Sequence, residues 1–115
     1  MSAEPLTVSL SEPSPAVAVV EVVGEVDLAT TDQVEEVLAE VVGTGRRVVV
    51  DLSACDFIDS SGLRTLVTAQ TAAEESGGSL ALVTEDAGLL RVLAVAALDR
   101  VFEIHSSRSD AIAAG

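Results

Sequence analysis

The segment Asp59-Ser60-Ser61-Gly62-Leu63 sets two hydroxyls between an acid and a glycine, where an apolar strand pattern gives way to a helical one. Two chemistries could use such a turn: nucleophilic attack by a serine, or phosphorylation of one. Hydrolysis is poorly served. A hydrolase elbow takes the form Gly-x-Ser-x-Gly, whereas Ser60 has Ile58 two residues before it and Gly62 two after. The base would have to be His105, the chain's one imidazole, at the end of the last strand. No enzyme activity is expected. Capping by Asp59 or Ser60 is a third role, contributing ~1 kcal/mol, but it leaves the full Asp-Ser-Ser-Gly set unexplained. A phosphoryl group at a helix N-terminus is favoured by the free amides and the positive dipole end by ~0.3 to 1 kcal/mol. Spacing does not choose between Ser60 and Ser61.

A second polar turn, Glu25-Val26-Asp27 with Thr30, closes the second strand and opens the first helix. Parallel strands place both turns at strand C-terminal ends, the edge where open α/β sheets form ligand surfaces. Thr30, with Gln33 three residues on, has the spacing of a capping box. Cys55 and Asp56 are expected in the loop before Asp59, and nothing basic in sequence activates the thiol. A single cysteine excludes an internal disulfide, and Cys55 with His105 makes no metal-ligand cluster. No metal or cofactor site is expected.

The elements that must position these turns follow from hydrophobic periodicity. Leu6–Leu10 and Ala16–Val23 predict an antiparallel pair around the breaker Ser11-Glu12-Pro13-Ser14-Pro15. Val34, Val37, Leu38, Val41 and Val42 form the stripe of a helix opened by Thr30 and ended by Gly43 and Gly45. A buried strand over 47–52 leads to the serine turn, and a helix then runs to Gly77-Gly78. A strand over 80–83, a helix over 86–97, a strand over 101–104 and a tail helix over 110–114 complete the chain. Alternating helices and strands demand right-handed crossovers and parallel pairing. The expected fold is a single α/β domain: a mixed, mostly parallel sheet of about five strands with an antiparallel N-terminal edge, and about four helices. The third helix is apolar all round, Arg91 being its one charge, and so has a face for a partner or a second copy as well as one for the core.

At 115 residues the chain has the size of one domain, here 1–115 with a core of about 6–113 and frayed residues 1 to 5. Hydrophobic residues make up 49% and aromatics 2%, so aliphatic side chains must fill the core. Nineteen acids against six bases give a net charge of -13, which opposes nucleic acid and anionic membranes. The first residues lack the basic and apolar regions of a signal peptide, and no apolar run is long enough to span a bilayer. The cytoplasm is the expected compartment.

Gly24-Glu25-Val26-Asp27 with Thr30, Val50-Asp51-Leu52-Ser53, and Phe57 through Leu63 together resemble a bacterial anti-sigma factor antagonist of the STAS domain family. Gly77-Gly78 and Leu98-Asp99-Arg100-Val101-Phe102 match the same pattern in order and spacing. The resemblance implies a STAS-like fold and a binding module switched by phosphorylation, with Ser60, directly after the acid, as phosphoacceptor. It implies partner contacts at Asp27, Asp59, Ser60, Ser61, Gly62 and Leu63, with Gly62 keeping the turn open to a kinase. The implied partners are an anti-sigma factor with serine kinase activity, which carries the ATP and magnesium, and a phosphoserine phosphatase. The unphosphorylated form would sequester the anti-sigma factor and release a sigma factor, acting as a monomer or weak homodimer. The alternatives are a scaffold subunit of a stress-sensing complex and a STAS subunit of a transport system. The chain departs from the family at Ala54-Cys55, where a Gly-plus-apolar pair is common, and at Ala97, where Gly is common.

Overall fold

The β-branched runs of the sequence build the centre of the molecule, in a computed structural model that describes residues 6–115; the expectation for residues 1 to 5 lies outside them. Strands β1 (Thr7–Ser14), β2 (Val17–Val26), β3 (Arg47–Ile58), β4 (Ser79–Val83) and β5 (Glu103–His105) form one sheet in the order β1-β2-β3-β4-β5. β1 pairs antiparallel with β2, and every other pairing is parallel. Helices α1 (Thr31–Ala39), α2 (Ser60–Glu75), α3 (Ala87–Val95) and α4 (Arg108–Ala114) complete the expected mixed α/β domain.

Alternation along the central strands sends successive side chains to opposite faces. Val20, Val22, Val48, Val50 and Leu82 join Val34 and Leu38 of α1, Leu66 and Ala73 of α2, and Leu89 and Leu93 of α3 in the main core. Val17, Val19, Val49, Ala81 and Val83 face the other way and are covered by Ala111 and Ile112 of α4.

Several boundaries differ from expectation. β1 runs through Glu12 and Pro13 with a register shift between Ser11 and Ser14, which an edge strand tolerates because a proline there removes no ladder donor. β3 continues to Ile58, so Cys55 and Asp56 are strand residues, and Cys55 is buried in the main core. Register shifts in its pairing with β2 put Leu52, Cys55 and Ile58 inside at intervals of three. α1 stops at Ala39; Val41 and Val42 are buried in the turns beyond it. α3 stops at Val95, a 3-10 turn spans Leu98–Arg100, and β5 begins at Glu103. α4 begins two residues early, at Arg108, capped by Ser107. Ala97 takes the left-handed conformation, φ 60°, which glycine adopts freely, and carries the usual strain of ~1 to 2 kcal/mol for a side chain there.

A seven-residue helix buries little surface, and α4 is held by ion pairs as well. Arg47, 8% exposed, donates through Nε to the Ala111 carbonyl at 2.8 Å and through Nη2 to Glu103 at 2.5 Å. Arg108 donates to buried Asp51 at 2.8 Å. Burial pushes the Asp51 carboxyl up, but the Ser53 hydroxyl and amide and the Arg108 guanidinium outweigh it and hold it below the usual range. The Arg47 hydrogen bond is the chief cause that does the same for Glu103. A carboxylate whose folded pKa is depressed stabilises the fold above its ordinary value of ~4.3 and loses that contribution as pH falls through the folded value. Glu103→Gln should therefore cost on the order of 1 kcal/mol at pH 7, its carboxylate being partly screened. The gap in urea midpoint between wild type and variant should close as pH falls below about 4.

Candidate functional site

Asp59 is the N-cap of α2, with extended backbone and its Oδ1 accepting from the amides of Ser61 (2.9 Å) and Gly62 (3.2 Å). The Ser61 hydroxyl donates to the same oxygen at 2.5 Å. That hydroxyl is the largest cause holding the Asp59 carboxyl below its usual range, joined by the amides of Gly62, Ser61 and Leu28. Ser60, the first helical residue, is exposed and its hydroxyl makes no hydrogen bond among the described residues. The two serines that spacing left equivalent are thus unlike: one is locked into the cap, the other is free.

Gly62 does not hold the turn open. It is buried where α2 crosses the ends of β2 and β3, and a Cβ there would lie 2.8 Å from Val26 Cγ1 and 2.8 Å from Ile58 Cγ2. Its contribution to the outer surface is indirect, through the placement of Ser60 and Ser61. Leu63 is half-buried, packed against the main core.

The Asp27 turn lies beside the serine turn, because Val26 pairs with Ile58 and the Asp59 amide donates to the Val26 carbonyl at 3.1 Å. The expected capping box is absent. The Thr30 hydroxyl instead accepts from the Asp27 amide (2.9 Å) and donates to the Glu25 carbonyl (3.0 Å), and it makes no cap bond to α1. Asp27 folds back through Oδ1, which accepts from the Ala29 and Thr30 amides and lies 3.1 Å from the Thr30 hydroxyl, leaving Oδ2 without a hydrogen bond among the described residues. A second tie joins the two helices: Thr31 Oγ1 lies 2.8 Å from Thr65 Oγ1.

Beside Ser60 an open groove of about 430 Å³ runs between α2 and α3. Ile58 and Leu63 form one wall, Val92, Val95 and Ala96 the other, and Asp59 and Arg91 are its charged lining residues. Leu89 and Leu93 point into the core while Val92 and Val95 stay out, which accounts for a helix apolar all round. Leu28, 79% exposed in the Asp27 turn, and Phe57, 46% exposed near the end of β3, add apolar surface. Val92 and Val95 are the outward face that the all-apolar α3 pattern implied, whereas nothing in the sequence marked Leu28 and Phe57 as exposed. His105 pairs with Glu103 at 2.6 Å, in the ion-pair network that anchors α4 rather than beside Ser60. Among the described residues no group of three or more His, Cys, Asp or Glu could hold a metal, and no helix is long and apolar enough to cross a membrane.

The two turns and the groove beside Ser60 lie together at one end of a single mixed α/β domain. The sequence pattern of the family described as "Mlab, STAS domain" matches residues 7–104, and the chain belongs to the STAS domain family. It is 34% identical over 110 residues to the anti-sigma-F factor antagonist RsfB of Mycobacterium tuberculosis, covering 93% of this chain and 87% of that protein. A solved anti-sigma factor antagonist from Mycobacterium paratuberculosis superposes with a TM-score of 0.86 at 28% identity, covering 96% of this chain and 93% of the other. Unphosphorylated SpoIIAA, an anti-sigma factor antagonist, shares the fold at a TM-score of 0.77 and 17% identity, with 92% and 93% covered. These relatives are regulatory binding proteins rather than enzymes.

The close approach of Gly62 makes a direct test of the geometry. Both neighbours are β-branched and stiff, so neither methyl can swing aside. Gly62→Ala should destabilise by about 1 to 3 kcal/mol despite alanine's better helix propensity, measured as a lowered urea midpoint.

Proposed function

We propose that this chain is an anti-sigma factor antagonist of the cytoplasm whose binding is switched by phosphorylation of Ser60. The observation that carries the reading is the contrast at the turn: Ser60 is exposed and unbonded beside an apolar groove, whereas Ser61 is tied to Asp59. The partner is an anti-sigma factor with serine kinase activity, bound while Ser60 is unmodified, so that its sigma factor is released. Ser60 Oγ attacks the γ-phosphorus of the partner's ATP; the O–P bond forms as the bond to the bridging oxygen breaks. ADP leaves with the magnesium, and the serine proton passes to a base on the kinase. A separate phosphatase hydrolyses the phosphoserine.

The apolar groove and exposed Leu28 and Phe57 supply desolvated contact area. Asp27 Oδ2 is available to the partner without loss of the bonds that hold its own turn. Release needs no refolding. At ~6 Å and an effective dielectric of ~20, each phosphate charge facing a partner carboxylate costs about 3 kcal/mol before screening. A dianion then approaches the ~5.5 kcal/mol that turns an almost wholly bound population into an almost wholly free one. The relatives named as antagonists favour this reading over a scaffold or transport role.

Incubation with kinase-type anti-sigma factors and ATP, followed by intact mass and site mapping, should give one phosphate on Ser60. Ser60→Ala should block modification and retain binding, and Ser60→Asp should weaken binding about tenfold, its single charge being partly screened. Modification at Ser61 alone, or none by a kinase that binds the protein, would sink the mechanism.

A further inference from the structure

The chain has six cations, all arginine, and three are engaged in the fold: Arg46 with Glu12, Arg47 with Glu103, and Arg108 with Asp51 and Glu21. Arg91 is different. It is exposed on α3, makes no ion pair or side-chain hydrogen bond among the described residues, and lines the same groove as Ser60. The groove's other charged lining group, Asp59, is already engaged through Oδ1 by three donors of its own turn. Arg64 would be the choice from sequence, four residues after Ser60 on the same helix. It does not line the groove, which takes Ser60 and Leu63 from that side of α2.

Resting on the assignment of Ser60 as phosphoacceptor, we infer that Arg91 receives the Ser60 phosphate across the groove and closes its apolar walls to the partner. A guanidinium suits the task, since its planar fork binds two phosphate oxygens at once. Its aliphatic stem meanwhile lies along Val92 and Val95 instead of leaving them to a partner. Phosphorylation then acts within the chain as well as through repulsion: the modified turn takes up the surface on which the partner docks. The unphosphorylated hydroxyl holds no such clasp, so the groove stands open.

The test uses full-length protein with phosphoserine incorporated at position 60 during synthesis, so that no kinase is needed. The phosphate is titrated by ³¹P NMR in wild type, Arg91→Gln, Arg91→Lys and Arg64→Gln. The charges lining the groove are Arg91, which favours the dianion, and Asp59, which opposes it in all four proteins. Wild type should titrate at a pH lower than Arg91→Gln by about half a unit or more, with Arg91→Lys between them and Arg64→Gln close to wild type. The phosphorylated Arg91→Gln protein should also recover about a tenfold part of the lost anti-sigma binding. Equal midpoints in wild type and Arg91→Gln, or a rise confined to Arg64→Gln, would overturn the clasp. If kinase mapping places the phosphate elsewhere, the phosphoswitch assignment fails, while this titration still reports whether Arg91 can hold a phosphate at position 60.

Discussion

The approach of Gly62 to Val26 and Ile58 is the contact on which the geometry of the serine turn and its neighbour depends. It lets the first turn of α2 pack closely on the Val26 and Ile58 methyls at the ends of two paired parallel strands, with no side chain of its own in between. The Asp59 amide then reaches the Val26 carbonyl, and the Asp59 carboxylate turns back over the helix start. Everything outward follows from that seating: Ser60 is left at the rim, Ser61 is drawn into the cap, and the Asp27 turn is fixed beside them. An α2 that stood further off would open the groove to α3 and separate the two acidic turns.

Charge is arranged with equal economy in an acidic chain. Arg47 and Arg108 secure α4, which among the described residues is the helix that covers the second face of the sheet, and Arg46 ties Glu12 of the edge hairpin. The pairs at Arg47 and Asp51 are the buried ones, where removal of one partner leaves a charge or polar group without compensation. The edge of the two turns, by contrast, satisfies its Asp27 and Asp59 carboxylates with amides and hydroxyls of their own turns.

Most of the architecture was legible because its signals are local. Unbroken Val-rich runs marked the central strands, Gly77-Gly78 marked the end of α2, and the order of elements fixed parallel pairing. What the sequence concealed was set by tertiary register. The second half of β3 buries Leu52, Cys55 and Ile58 at intervals of three, so no alternation of period two is visible and Cys55-Asp56 looked like loop. Thr30 and Gln33 had capping-box spacing, but Asp27 captured the threonine hydroxyl first. The role of Gly62 was misjudged because a glycine in a turn suggests freedom, and only the packed structure shows the two methyl groups that exclude a side chain. At the site, the Asp-Ser-Ser-Gly motif was plain, whereas the wall supplied by Val92 and Val95 lies some thirty residues away and depends on where α3 packs.

The inequality of Ser60 and Ser61 bears on how a small domain can be modified without unfolding. The Asp59 cap engages the Ser61 hydroxyl and the amides of Ser61 and Gly62, and it makes no use of the Ser60 side chain. A phosphoryl group on Ser61 would break a 2.5 Å hydrogen bond and set a dianion against the carboxylate that starts the helix. On Ser60 the same group would break no bond of the cap and would meet the positive end of α2, which favours it by ~0.3 to 1 kcal/mol. Fold stability and surface chemistry are therefore uncoupled at one hydroxyl and coupled at its neighbour.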